Sequence, residues 1–282
     1  MFHLELFSSA VASGATAFQQ LTYVAQDAIL QKLNNGVQVP QNLPFIHSVM
    51  GVGSHLVGVR AQAPSMLPLP YISLSPNNRG GAFESPPRAW DFSAAPVPLR
   101  LTEEMDIFVT QNSGGSETEY VAVNFTDMQT QAAPQPVTAV TMNGNGRFFT
   151  VHATGTNTVV GGQWNQLPAS AFTFDQPFPA GAYLLVGVRA LSATGLFFRM
   201  FPQQAPLWRP GGVCVQAYDQ MDMFNQRYLP NYGPPGYGWG VWMQFFSNTP
   251  PGIEFYTTGN DTAQEIWYDC IKVSDATLMG TV

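Results

Sequence analysis

The six residues "LVGVRA" occur twice in this chain, at 56–61 and again at 185–190, 129 positions apart. A literal repeat of that length constrains the fold more than any other feature, because it asks whether one folding unit has been duplicated. The flanks extend it. At the same offset "AFQQLTYVA" (17–25) falls on "GRFFTVHAT" (146–154), and "QNLPFIHSVMGVGSH" (41–55) on "SAFTFDQPFPAGAYL" (170–184), with apolar and turn-forming residues in similar places. Further along, "LTEEMDIFVTQNSGGSETEYVAVNFTD" (101–127) aligns without gaps on "TPPGIEFYTTGNDTAQEIWYDCIKVSD" (249–275) at an offset of 148. Thr110/Thr258, Asn112/Asn260, Glu117/Glu265, Tyr120/Tyr268 and Asp127/Asp275 are identical there. The offset grows because the second copy is longer between the two blocks, where "RYLPNYGPPGYGWG" (227–240) reads as an inserted surface loop.

The expected organisation is therefore an N-terminal arm (1–14), a first module (15–127), a linker (128–143), a second module (144–275) and a C-terminal tail (276–282). A period this long means duplicated domains and not a solenoid of short repeats. Within the C-terminal block the pattern is strand, turn, strand. "MDIFVT" and "EYVAVNF" flank "QNSGGSET", while "IEFYTT" and "EIWYDCIKV" flank "GNDTAQ". Val123 and Phe125 share one strand face, as do Ile271 and Val273. The Gly and Asn residues between them suit hairpin turns. "AYLLVGVRALSATGLFFRMF" (182–201) reads as another strand pair turning near "SATG". Residues 18–33 are ambiguous: 18–25 lean towards strand, and 26–33 suit either an amphipathic helix or a strand.

Composition agrees with an all-β chain. Gly (26), Pro (23) and Phe (20) dominate, which favours short strands joined by turns. Charged residues make up 10% against roughly 25% in ordinary soluble domains, so much of the surface must be covered by neutral side chains or by neighbours. A net charge of −7, with no basic tail, argues against direct nucleic-acid binding. No apolar run is long enough to span a bilayer as a helix. The N-terminal stretch lacks a positively charged start and carries Glu5, so no signal peptide is expected. Cys214 and Cys270 lie in apolar strand-like runs and read as buried free thiols.

Catalytic groups are sparse. His3, His47, His55 and His152 have no metal-ligand spacing, and neither a nucleophile elbow nor a phosphate-binding loop is present. The acidic run "EEMD" (103–106) lacks a recognised cation-binding spacing and reads as strand-end charge. Asp106/Glu254 and Glu117/Glu265 are matched positions in separate modules, so the duplication gives no reason for them to face one another across a cleft as a hydrolase would need. No cofactor, metal or enzyme activity is expected.

Two all-β modules of this size, each with room for about eight short strands, suit tandem sandwiches or jelly rolls. With its duplicated module, neutral Gly/Pro/Phe-rich composition and one long inserted loop, the chain resembles the double jelly-roll major capsid proteins of tailless icosahedral viruses, bacteriophages among them. That resemblance covers nearly the whole chain and implies two tandem jelly rolls in a structural virion protein. It further implies assembly in the host cytoplasm, in trimers whose six barrels form a pseudo-hexagonal tile, alongside other virion proteins. Whether a membrane lies inside such a shell is left open. The alternative is a tandem β-sandwich module, a spike or adhesin, that binds a receptor or carbohydrate. Tyr228, Tyr232, Tyr237 and Trp239 on the inserted loop suit subunit contact, an outward projection or packing on their own barrel. Arg60 and Arg189, closing the two hexapeptides, are expected to make the same ion pair or carbonyl cap within each module, with a salt bridge between subunits as the other reading.

Overall fold

The structure, a computed structural model, describes residues 2–25, 30–53, 55–64, 72–73, 89–91, 97–126, 147–201, 209–216 and 243–273. The chain divides into two compact units, Met1–Thr130 and Gln131–Val282. The second unit is the simpler. Its strands are β13 (Arg147–Gly155), β14 (Trp164–Leu167), β15 (Thr173–Phe174), β16 (Ala182–Ser192), β17 (Gly195–Phe201), β18 (Gly211–Val213), β19 (Met243–Phe246), β20 (Gly252–Thr257) and β21 (Gln264–Val273). One sheet runs β15-β13-β21-β16-β19 and the other β14-β20-β17-β18, every pair antiparallel. With the two-residue β15 set aside as an edge addition, the eight strands lie in the order 1-8-3-6 and 2-7-4-5. That is the interleaving of a jelly roll, which wraps one long hairpin around two sheets.

The first unit repeats it. Its strands are β1 (Phe2–Val11), β2 (Gln19–Gln20), β3 (Thr22–Tyr23), β4 (Lys32–Leu33), β5 (Gly36–Gln38), β6 (Phe45–Val52), β7 (Leu56–Gln62), β8 (Ile72–Ser73), β9 (Ala89–Asp91), β10 (Val97–Pro98), β11 (Glu104–Gln111) and β12 (Glu117–Thr126). The sheets are β10-β6-β12-β1-β3, with β9 also on β6, and β4-β5-β11-β7-β8, with β2 also on β11. The chain is thus all-β, with two jelly rolls in tandem.

Three expectations need correction. Residues 2–11 are not an arm: β1 is the first strand of the first barrel and pairs with β12 from Phe2↔Thr126 to Val11↔Glu117. Its partner in the second barrel is β13, so the 17–25 segment does not correspond to 146–154. The alternation at the start of "HLELFSSAV" is a strand signature. Residues 18–25 instead supply the short β2 and β3, Lys32–Leu33 form β4, and 26–29 lie outside the described residues.

The second correction concerns the hexapeptide. Its first copy is in β7, the fourth strand of one barrel, and its second in β16, the third strand of the other. These positions are not equivalent and belong to different sheets. What the copies share is a β-bulge. In β7, Leu56 opposes Gln111 and Gly58 opposes Thr110, leaving Val57 without an opposite residue. In β16, Leu185 opposes Cys270 and Gly187 opposes Asp269, leaving Val186 without one. "LVG" thus carries the extra residue with a glycine after it in both strands, and a bulge of this kind bends the strand and increases its twist. At Gly187 a Cβ would lie 3.1 Å from Asp269 Oδ2.

The third concerns register. β13 ends at Gly155↔Gln264 just as β1 ends at Val11↔Glu117. Counted from that shared end, Tyr120 corresponds to Trp267 and Tyr268 to Val121. The connection between the last two strands is five residues in the first barrel (112–116) and six in the second (258–263), and a slip of one residue exchanges faces. Tyr120 is accordingly half-buried, whereas Tyr268 is fully buried.

The core of the second barrel follows from strand alternation. Val151, Ala153, Val188, Ala190, Ile266, Tyr268 and Cys270 are buried, while His152, Arg189, Trp267 and Asp269 between them are half-buried. Aromatic rings close one end: Phe174, Phe178, Tyr183, Phe245 and Tyr268 pack with centroids between 5.2 and 6.0 Å apart. The buried hydroxyls find carbonyls. Tyr268 donates to Pro251 O at 3.2 Å, and Tyr183 donates to Pro179 O. Burial holds the Tyr268 phenol and the Cys270 thiol in their neutral forms, their pKa values well above ordinary.

Gly252 tests this packing. A Cβ there would meet Phe201 Cζ at 2.3 Å and the Leu167 carbonyl oxygen at 2.9 Å, so both a ring and a backbone would have to shift. Gly252→Ala is expected to cost the second barrel about 1–3 kcal/mol in urea denaturation. Gly259→Ala, whose nearest neighbour would be 3.4 Å away, is the control and should cost under about 0.5 kcal/mol. Equal effects would mean the close approach at Gly252 is not a packing constraint.

Candidate functional site

Charged side chains are scarce enough here that each one within a strand marks a place where the fold has to accommodate it. On the second barrel they gather in two places. The first is the half-buried face of the β13–β21–β16 sheet. His152, Trp267 and Arg189 lie on one rung across the three strands. The imidazole stacks on the indole at 4.5 Å between centroids, and the guanidinium carbon of Arg189 stands 5.8 Å from the indole ring. The adjoining rungs supply a carboxylate to each of the two side chains. Arg189 Nη2 donates to Asp269 Oδ1 at 2.9 Å, Thr150 Oγ1 donates to the same oxygen at 2.6 Å, and His152 Nε2 lies 2.8 Å from Glu265 Oε2. Arg189 is therefore paired inside its own barrel.

The second gathering is buried. β14, β17 and β20 bring Trp164, Arg199, Glu254 and Tyr256 together, and Arg209 joins them from just before β18. Arg199 and Glu254 are each about 1% exposed. The Arg199 Nε and Nη2 atoms both lie 2.8 Å from Glu254 Oε2, Arg209 Nη1 bonds Oε1, and the Arg199 guanidinium lies 4.0 Å from the centre of the Trp164 ring. One carboxylate thus serves both guanidiniums, and the indole face covers that of Arg199. Arg209 ties the start of β18 to the sheet, because Glu254 sits in the middle of β20.

In the first barrel Arg60 has a different environment from Arg189. Its guanidinium carbon lies 3.8 Å from the centre of the Phe18 ring, and its rung partner on β11 is Phe108. The two hexapeptide arginines thus do unlike things, as their non-equivalent strands require. Nor does the acidic run act as a unit. Glu103 accepts from Arg100 N at 3.1 Å, Glu104 from Gly36 N at 3.1 Å, and Asp106 from Gln20 Nε2 at 2.8 Å. Each carboxylate caps a different neighbouring segment, so they do not converge on one cation. Burial, with Glu104 nearby, raises the pKa of Asp106. Glu117 lies 2.8 Å from His55 Nδ1, and Glu119, two residues on, is fully buried.

Tyr228, Tyr232, Tyr237 and Trp239 lie outside the described residues. Sequence reasoning missed Asp269, Trp267, Arg199, Arg209, Trp164 and Glu119. The available signal was a charged residue in the middle of an apolar strand, as in "EIWYDCIKV" and "GLFFRMF".

No family model matches the chain, and no curated protein matches its sequence. Among solved structures it is similar to the major capsid protein P2 from bacteriophage PM2, at 11% identity over 97% of this chain and 98% of that chain, with a TM-score of 0.29. It is also similar to the STIV MCP, at 8% identity over 100% of both chains, with a TM-score of 0.25. The strand order of the two barrels, and not these likenesses, is what identifies the fold.

Two substitutions separate the buried and half-buried charges. Glu254→Gln removes the carboxylate that both guanidiniums share and should cost the second barrel about 3–5 kcal/mol in urea denaturation. Replacing Arg199, Arg209 and Glu254 together by Met should recover most of that loss. A cost for Glu254→Gln as small as that of an exposed ion pair would mean the triad is not desolvated. On the half-buried sheet face, Arg189→Met and Asp269→Asn should each cost about 1 kcal/mol, and the double variant little more than either. Fully additive losses would show that the two side chains are not coupled.

Proposed function

We propose that the chain is a major capsid protein and that its working unit is a trimer, the tile of an icosahedral shell. The observation that carries this reading is that a single chain of 282 residues is spent on two complete jelly rolls. Three copies related by a three-fold axis bring together six barrels of one design, enough to tile a near-hexagonal area with closed symmetry. The composition supports it: 10% charged and 13% aromatic residues suit a surface that meets copies of itself, since interface centres are poor in charge and rich in aromatic side chains. The electrostatics support it too. On the half-buried face of the second barrel Arg189 is paired with Asp269 inside its own barrel, so that cation needs no partner from a neighbour.

On this reading the protein is structural and not catalytic, resides in the virion and is assembled in the host cytoplasm. A net charge of −7 leaves the packaging of nucleic acid to other components.

The test is the solution mass of the full chain by light scattering across concentration and salt. A stable species of three 30.7 kDa chains, growing into larger particles at high concentration, is the expected result. A monomer under every condition would overturn the proposal and turn attention to glycan and receptor screens.

A further inference from the structure

At one end of the first barrel the β11–β12 hairpin meets the connection that carries the chain from β6 to β7, between the two sheets. The Asn112 amide donates to the His55 carbonyl at 3.0 Å, and the His55 ring reaches Glu117. Glu119 follows two residues along the same face of β12. It is fully buried, and neither carboxylate oxygen has a hydrogen-bond partner. The side chain is folded over Gly53, where a Cβ would lie 1.6 Å from Glu119 Oε2. Gly53 is therefore the space that admits the carboxyl group.

The groups facing Glu119 are few. From its own strand comes Glu117, and from the β6–β7 connection His55. β1 presents Ser9 and Val11 on the facing rungs, and β6 presents Gly51 before Gly53. None of these last four carries a charge. A carboxylate here has no donor, little solvent and a second carboxylate beside it, so the neutral acid is the form that suits the site.

We propose that Glu119 is a proton-controlled latch at this end of the first barrel: as a neutral carboxyl it seals the corner between the β6–β7 connection and the β11–β12 hairpin, and on ionisation it opens that corner. The step is a simple dissociation in which the carboxyl O–H bond breaks and the proton leaves to water. The carboxylate then lowers its energy by moving away from Glu117 and towards solvent, past the His55 side chain, which is 44% exposed.

Burial, then the Glu117 charge, pushes the Glu119 pKa up to about 7 from an ordinary 4.5, with His55 acting in the opposite direction. Between those values the folded chain holds more protons than the unfolded one. The contribution of Glu119 to stability is therefore highest in acid, falls as the pH rises through that window, and is level above it. The corner is closed at low pH and loosened above neutral.

Hydrogen–deuterium exchange on the full chain tests this, with rates at pH 5.5 and 8.5 corrected for intrinsic chemistry. Peptides covering His55 and Asn112–Glu117 should exchange about tenfold faster, or more, at the higher pH, since each unit of pKa shift corresponds to a tenfold change in the opening equilibrium. Glu119→Gln, which keeps the shape and removes the charge, should abolish that rise. A rise equal in both proteins, or absent from the wild type, overturns the proposal. Should the variant fail to fold, carbon-13 NMR titration of the wild-type glutamate carboxyls decides. A Glu119 signal titrating near neutral supports the latch, and one titrating in the ordinary carboxylate range overturns it.

Discussion

Each barrel depends on one ladder, the pairing of its first strand with its last. β1 meets β12 along its ten residues, and β13 meets β21 along its nine. The last strand lies in the interior of its sheet, flanked on the far side by β6 in one barrel and β16 in the other. Until it arrives, the first and third strands have no common neighbour and the sheet does not exist. Closing so long a loop costs entropy that grows only with the logarithm of its length, so the cost is borne once, and every later rung adds burial and hydrogen bonds. Folding is consequently expected to be slow, because the decisive contacts are the most distant in sequence.

That constraint explains which parts of the fold were legible in the sequence. The β11–β12 and β20–β21 hairpins are local, with alternating faces and turn residues between them, and they were read directly from residues 101–127 and 249–275. So was the turn between β16 and β17. The first strand was not. Its partner lies more than a hundred residues away, and local alternation marks an extended segment without showing what it pairs with. The expectation of an arm over 1–14 follows from that. The single-residue difference between the two hairpins was invisible for a related reason: an alignment without gaps is the simplest match, yet faces alternate with a period of two, so Tyr120 and Tyr268 share a letter without sharing a place.

The hexapeptide misled in a more instructive way. "LVGVRA" suggested one strand copied into two barrels, but it marks one local device used on two different strands. A bulge needs an extra residue, and a glycine after it suits the tight approach of the opposite strand. The arginine that follows two positions later is a consequence of alternation, which turns that position away from the core. What the guanidinium then finds depends on the neighbouring strands: the Phe18 ring in one case, Asp269 and Trp267 in the other. Identity at short range reported local geometry, while the duplication of the barrel is written in strand order.

With so few charges in the chain, the treatment of each is informative. On the second barrel the fold places cations beside carboxylates and indole faces, and this holds both at the half-buried Arg189 rung and in the buried Arg199–Glu254–Arg209 triad. A buried triad of this kind contributes little net stability, because desolvation consumes most of the Coulomb gain, yet removing one member is costly. Glu254 holds both guanidiniums at once, so Arg209 and the start of the segment that follows it are fixed against the sheet. Glu119 in the first barrel is treated differently, as a fully buried carboxyl with a like-charged neighbour and no hydrogen-bond partner. Its site therefore favours the neutral acid, whereas the paired carboxylates of the second barrel are held beside cations. The difference follows from Gly53, because any side chain there would occupy the volume that holds the acid.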